Sequence, residues 1–144
     1  MGCAIFEINM AGREMEEVKS TCIKGREAEE IAIAYLTGEG LTLLDKNWRW
    51  RRREIDIVMK SVQKGSNLCR LHVVEVRSLY QPCLKLPYET VDLKKQRSLI
   101  RAAEGYIRCR NIGYETQFDV VSIVFATSGE YTVDYFPNAF TPLW

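Results

Sequence analysis

The chain has 144 residues, 47% of them hydrophobic and 27% charged, with a formal net charge of +1. That balance suits one globular domain and excludes a disordered chain, a collagen-like repeat or a disulfide-stapled miniprotein. No apolar run approaches the roughly 18 residues of a spanning helix, and Glu7 interrupts the short apolar start, so neither a membrane partner nor a secretory signal is expected.

Five scattered cysteines (Cys3, Cys22, Cys69, Cys83 and Cys109) form no CxxC pair, and His72 is the only histidine. Reduced thiols in a cytoplasmic protein are therefore expected, and a structural zinc site is not. Residues 1–23 read as an N-terminal extension ahead of a single domain over 24–144.

In chain order, Ala28, Ile31, Ala32, Tyr35 and Leu36 give one buried stripe and predict a helix over 26–37, stopped by Gly38 and Gly40. A strand from Leu41 runs on toward Trp50. A second covers 54–59, where alternation places Ile55, Ile57 and Met59 on one face and turns Asp56 away from it. Residues 61–67 read as a turn, and 71–76 as a third strand. A long helix is predicted over 88–109, with Lys94, Arg97, Arg101 and Arg108 in a basic stripe along one side. Two further strands, 118–125 and 131–136, follow around Ser128-Gly129. Helix, three strands, helix and two strands make one α/β domain.

The near-zero net charge conceals a pattern. Residues 1–39 carry four basic and eight acidic residues, residues 40–110 sixteen and seven, and residues 111–144 none and four. A basic middle between acidic ends can mark a polyanion-binding surface. It is densest at Arg49, Arg51, Arg52 and Arg53, with Trp48 and Trp50 interleaved. Arginine forks fit phosphate oxygens, and indole faces can stack on unpaired bases; a solvated hairpin tip is the plainer alternative.

Carboxylates on neighbouring strands carry the chemistry. If strands 54–59 and 71–76 pair through the intervening turn, Asp56 and Glu75 converge, with Arg77 on the same face as Glu75. Two converging carboxylates repel and lose solvation, and Mg²⁺ or Mn²⁺ relieves both costs. Such a cation can polarise a phosphate and activate water. The alternative is an ordinary polar strand face with Glu75 salt-bridged to Arg77 or to the arginine cluster. His72 falls on the face of Val74 and Val76, as a packed or edge residue and not a ligand, and Asp119 as a structural acid holding backbone or arginine groups.

Gly25-Arg26, Glu29, Ala32, Leu36, Gly40, Asn47-Trp48-Arg49, Glu54-Ile55-Asp56, Val74-Glu75-Val76, Lys95-Gln96, Phe118-Asp119-Val120-Val121 and Pro137-Asn138-Ala139-Phe140 occur in that order. Together they resemble the YraN family of small bacterial proteins, which is itself similar to Holliday-junction resolvases and the PD-(D/E)xK nuclease superfamily. The resemblance implies a restriction-endonuclease-like core, a central mixed β-sheet flanked by helices. It implies a metal site of Mg²⁺ or Mn²⁺ at Asp56 and Glu75, a catalytic set of Glu29, Asp56, Glu75 and Arg77, and a nucleic-acid partner, DNA by expectation. Lys94, Lys95, Arg97 and Arg101 join Arg49 and Arg51 to Arg53 as the candidate nucleic-acid-binding residues. A homodimer would match the symmetry of a junction.

Three positions depart from the family pattern. Ala28 and Arg53 stand where relatives carry Gly, and Arg77 stands where the signature has Lys. Arginine stays protonated, so Arg77 can stabilise phosphate charge but cannot act as a base. Lys60 and Lys95 are the lysines left to take its place. The expected activity is metal-dependent hydrolysis of DNA phosphodiesters, branched DNA included. The alternatives are a nucleic-acid-binding module with a weakened or lost active site, and a protein-interaction module.

Overall fold

In the computed structural model, which describes residues 25–82 and 91–142, the first helix, α1, covers residues 25–38. Ala28, Ala32 and Leu36, four apart, are fully buried along its inner face. The helix ends where Gly40 takes a φ of 97°, a conformation that costs glycine little, while Leu41 N–H returns to Leu36 C=O at 3.1 Å. The proposed extension, Cys3, Cys22, Cys83 and residues 88–90 of the expected second helix lie outside the described residues.

Five strands follow: β1 (Thr42–Trp50), β2 (Arg53–Val62), β3 (Cys69–Tyr80), β4 (Glu115–Phe125) and β5 (Tyr131–Phe140). They form one sheet in sequence order. Neighbours run antiparallel except β3 and β4, which are parallel and in register from Arg70↔Glu115 to Tyr80↔Phe125. A parallel pair needs a crossover, and α2 (Leu93–Arg110) supplies it. Pro137 is accommodated because β5 is an edge strand.

The helices cover opposite faces. Ala28, Ala32 and Leu36 of α1 pack with Ile57, Met59, Val74, Val121 and Ile123. Ala102, Ala103 and Tyr106 of α2 pack with Ile55, Val58, Leu71, Val73 and Phe118. Each fully buried large apolar side chain contributes about 1.5–3 kcal/mol of transfer free energy, so these two layers hold the sheet between the helices. The result is an α/β fold with a mixed sheet, compatible with a restriction-endonuclease-like core. Among the described residues, no helix is long and apolar enough to cross a membrane.

Two expectations are corrected. The second helix, α2, does not include residues 91–92, which the expected span of 88–109 contained. Asp92 is its N-cap, with extended backbone and its carboxylate accepting from Lys95 N–H at 2.8 Å, so helical geometry starts at Leu93. Nor do Ile55, Ile57 and Met59 share a face: Ile57 and Met59 pack toward α1, whereas Ile55 packs toward α2. The alternation slips at Asp56. Its opposite number is Asn47, between the pairs Lys46↔Ile57 and Trp48↔Ile55, and Asn47 holds a left-handed φ of 51° that disturbs the pleat.

Candidate functional site

The β2–β3 ladder runs from Val62↔Cys69 to Ile57↔Val74. One step beyond, Asp56 and Glu75 stand opposite each other where the two strands part. Asp56 Oδ2 accepts the Val76 N–H at 2.9 Å, so a side chain takes up a backbone donor at the fork. The expected convergence of the two carboxylates is therefore present, and it follows directly from the antiparallel register.

Glu75 is buried, with only 3% of its surface exposed. Its Oε1 lies 3.5 Å from Arg77 Nε and 3.5 Å from Lys95 Nζ. Its Oε2 is buried, and the Asp56 side chain lies within hydrogen-bonding reach of the Glu75 carboxyl. Burial and the neighbouring Asp56 charge push the Glu75 carboxyl up to about 8, against the opposing pull of Lys95 and then Arg77. Lys95 comes from the first turn of α2, where the Asp92 cap fixes its backbone. Lys60 is elsewhere, with its ammonium 5.6 Å from the centroid of the Tyr114 ring.

Glu29 of α1 sits near this fork without joining the pair. Burial raises its carboxyl, a hydrogen bond with Asn47 opposes that, and the charges of Asp56 and Glu54 add to the rise. Among the described residues, no group of three or more Asp, Glu, His or Cys side chains is gathered closely enough to hold a metal ion. The carboxylate set is thus the Asp56 and Glu75 pair, with Glu29 in electrostatic reach.

Six of the eight candidate phosphate-binding residues come together. Arg51, Arg52 and Arg53 from the β1–β2 tip, and Lys94, Arg97 and Arg101 from α2, line a cavity of about 560 Å³ with Ser98. Among the described residues, no acidic side chain lines it. Lys95 turns to Glu75 instead, and Arg49 lies 3.9 Å from Glu54, both exposed, where an ion pair contributes little. Arg108 does not line the cavity. Arg51 holds a φ of 57° in the two-residue tip closed by Trp50↔Arg53, a place that ordinarily favours glycine.

The two indoles do not serve as free stacking platforms. Trp50 lies across Gly105 of α2, where an added Cβ would meet its ring atoms at 2.5 to 2.7 Å. Trp48 stacks on Trp50 with centroids 6.0 Å apart and meets Tyr106 edge-on at 5.1 Å. They dock the basic tip onto α2, which is why the tip's cations face those of the helix.

Residues 28–123 match the family described as "Uncharacterised protein family UPF0102". The chain belongs to UPF0102. A UPF0102 protein of Parabacteroides distasonis is 36% identical over 116 residues, covering 81% of this chain and 90% of that protein. One from Chlorobium chlorochromatii is 33% identical over 131 residues, covering 88% and 97%. A Porphyromonas gingivalis relative is 35% identical over 118 residues, covering 81% and 83%. The UPF0102 match contains Glu29, Asp56, Glu75, Arg77 and all the cavity cations.

In this UPF0102 chain a second polar cluster lies apart from the fork, and sequence reasoning found only its outline. His72 is buried, as expected, with Nδ1 2.7 Å from Asp119 Oδ2 and Nε2 2.7 Å from Ser61 Oγ. Asp119 also accepts from Tyr135 O–H, Gln117 Nε2 and Asn138 N–H at 2.7 to 2.8 Å. Burial would raise the Asp119 carboxyl, but these bonds, His72's foremost, together hold it below the usual carboxylate value. Of the expected partners, a backbone group is present in the Asn138 N–H; among the described residues the others are His72, Tyr135 and Gln117, with no arginine. Asp119 ties β2, β3, β4 and β5 together.

Proposed function

We propose that this protein binds nucleic acid, DNA by expectation, and hydrolyses its phosphodiester bonds with the help of a divalent cation at Asp56 and Glu75. The observation that carries the reading is the pair itself: a buried Glu75 carboxyl set against the Asp56 carboxylate, close enough for the Asp56 charge to raise it. Two carboxylates held together away from water repel each other and lose solvation, and a hard cation would relieve both costs. Mg²⁺ typically takes one or two protein carboxylates and completes its shell with water and substrate phosphate, so the pair fits that ion without a third acid. When bound, such a cation polarises the phosphate and makes water a better nucleophile at neutral pH.

The chain's own groups divide the remaining work. The six-cation cavity holds the phosphate backbone against the fork. Arg77 and Lys95 balance the carboxylate charge, and both remain beside Glu75 to stabilise negative charge developing on the oxygens of the attacked phosphate. Arg77 cannot remove a proton from water, so any proton transfer falls to other groups.

A second reading, a binding module without catalysis, is favoured by Arg77 in the signature lysine's place and by a pair of acids where a fuller cluster would hold metal more firmly. One assay separates the two. Labelled duplex, single-stranded and four-way-junction DNA are incubated with Mg²⁺, Mn²⁺ or chelator. Metal-dependent cutting that Glu75→Ala abolishes supports hydrolysis. Binding without cutting, with activity gained only in Arg77→Lys, supports the module. Absence of DNA binding at low salt would sink both.

A further inference from the structure

We infer that the basic cavity takes double-helical nucleic acid by its phosphates, and is not built to hold a single strand by its bases. This rests on the nucleic-acid reading above and specifies its substrate. Proteins that hold single strands without sequence preference combine a positive groove with aromatic faces free to stack on successive bases. The run Trp48-Arg49-Trp50-Arg51-Arg52-Arg53 has that composition. The fold uses its rings for something else.

Trp50 is covered on one side by the Gly105 backbone, close enough that a single added carbon would collide with three of its ring atoms. Trp48 lies parallel to it at 5° between planes, and the Arg51 guanidinium stands 5.6 Å from the Trp50 centroid. Trp48 is in turn fixed edge-on against Tyr106, which is 2% exposed and donates to Asp45 at 2.7 Å. Among the described residues, the cavity is lined by six cations and a serine, with no aromatic side chain.

A base entering that space would find charge and no ring. Phosphates are matched instead, and the double helix presents them most densely, about one charge per 1.7 Å of axis against one per 3.4 Å for each of its strands. The cations come from two elements, three from the tip and three from α2, so the ligand is gripped from two walls. Contacts to phosphate fix position on the duplex and carry no sequence information directly.

The test is fluorescence anisotropy in chelator, using the full chain, a labelled duplex and each of its single strands across a salt series. Duplex binding is expected to be the tighter, with log K falling against log salt with a slope of about −5 for six phosphate contacts. Arg97→Ala with Arg101→Ala, both exposed on α2, should lessen that slope by about two. In a Trp144→Phe background the emission of Trp48 and Trp50 should keep its intensity on binding duplex. Equal or tighter single-strand binding with loss of that emission would overturn this inference and leave the nucleic-acid reading in place. No binding of any strand at low salt would overturn both.

Discussion

Lys95 Nζ and Glu75 Oε1 meet at 3.5 Å across the gap between α2 and β3, twenty residues apart in the chain. With Arg77 at the same distance, two cations attend one carboxylate, yet the carboxyl is still pushed up to about 8. Burial and the Asp56 charge therefore outweigh both cations.

That balance sets a pH dependence. Glu75 keeps its proton in the folded protein at pH values where the unfolded chain, near 4.5, has lost it. Its contribution to stability is complete below about 4.5 and is lost as pH rises through about 8. In chelator, Glu75→Gln should stabilise the protein at pH 7 by something on the order of 1–3 kcal/mol, and flatten the decline of Tm over that window. Adding Mn²⁺ should restore wild-type Tm more at pH 8 than at pH 6, because metal binding displaces the Glu75 proton. Thermal unfolding at several pH values, with and without metal, reads both effects.

Asp119 behaves in the opposite sense. Its carboxyl is held below 3.8 in the folded state, so its contribution is present above that value and lost as pH falls through the lower folded one. Asp119→Ala leaves His72, Tyr135, Gln117 and the Asn138 amide without their shared acceptor, and should cost about 3–5 kcal/mol in urea unfolding. Nucleic-acid affinity per folded molecule should be unchanged. A loss below 1 kcal/mol would mean the network contributes little.

Arg51 trades stability against charge. A non-glycine residue at positive φ costs about 1–2 kcal/mol, and Arg51 stands at 57°. Arg51→Gly should leave stability equal or raise it by about 1 kcal/mol, since glycine's greater unfolded-state entropy takes back part of the relief. The same change should weaken duplex binding and reduce the salt slope by about one. Parallel denaturation and binding curves would expose a variant that loses both properties, contrary to this account.

Gly105→Ala sets two effects against each other. Alanine in a helix interior gains about 1 kcal/mol over glycine, whereas overpacking costs about 1–3 kcal/mol. The new carbon would sit 2.5 Å from an indole that is itself wedged against Trp48, so overpacking wins. A net loss is expected, together with displaced tryptophan emission and weaker duplex binding as the basic tip shifts away from α2.

Periodicity and residue type fixed much of this protein in advance. The buried stripe of Ala28, Ala32 and Leu36, the glycine stop and the chain order of helix, three strands, helix and two strands are local properties that the chain states directly. So is the opposition of Asp56 and Glu75, because a short turn between two strands leaves few registers open. The tertiary structure decided the partnerships. Asn47 disturbs β1 and turns Ile55 to the other face, Asp92 delays the helix, and Gly105 leaves room for Trp50 and so turns two apparent base-stacking rings into packing. Lys95 reaches Glu75 only because α2 crosses the open end of the fork. Each of these depends on which surfaces come within a few ångströms after folding, and a sequence period records which side a residue faces but not what it meets there.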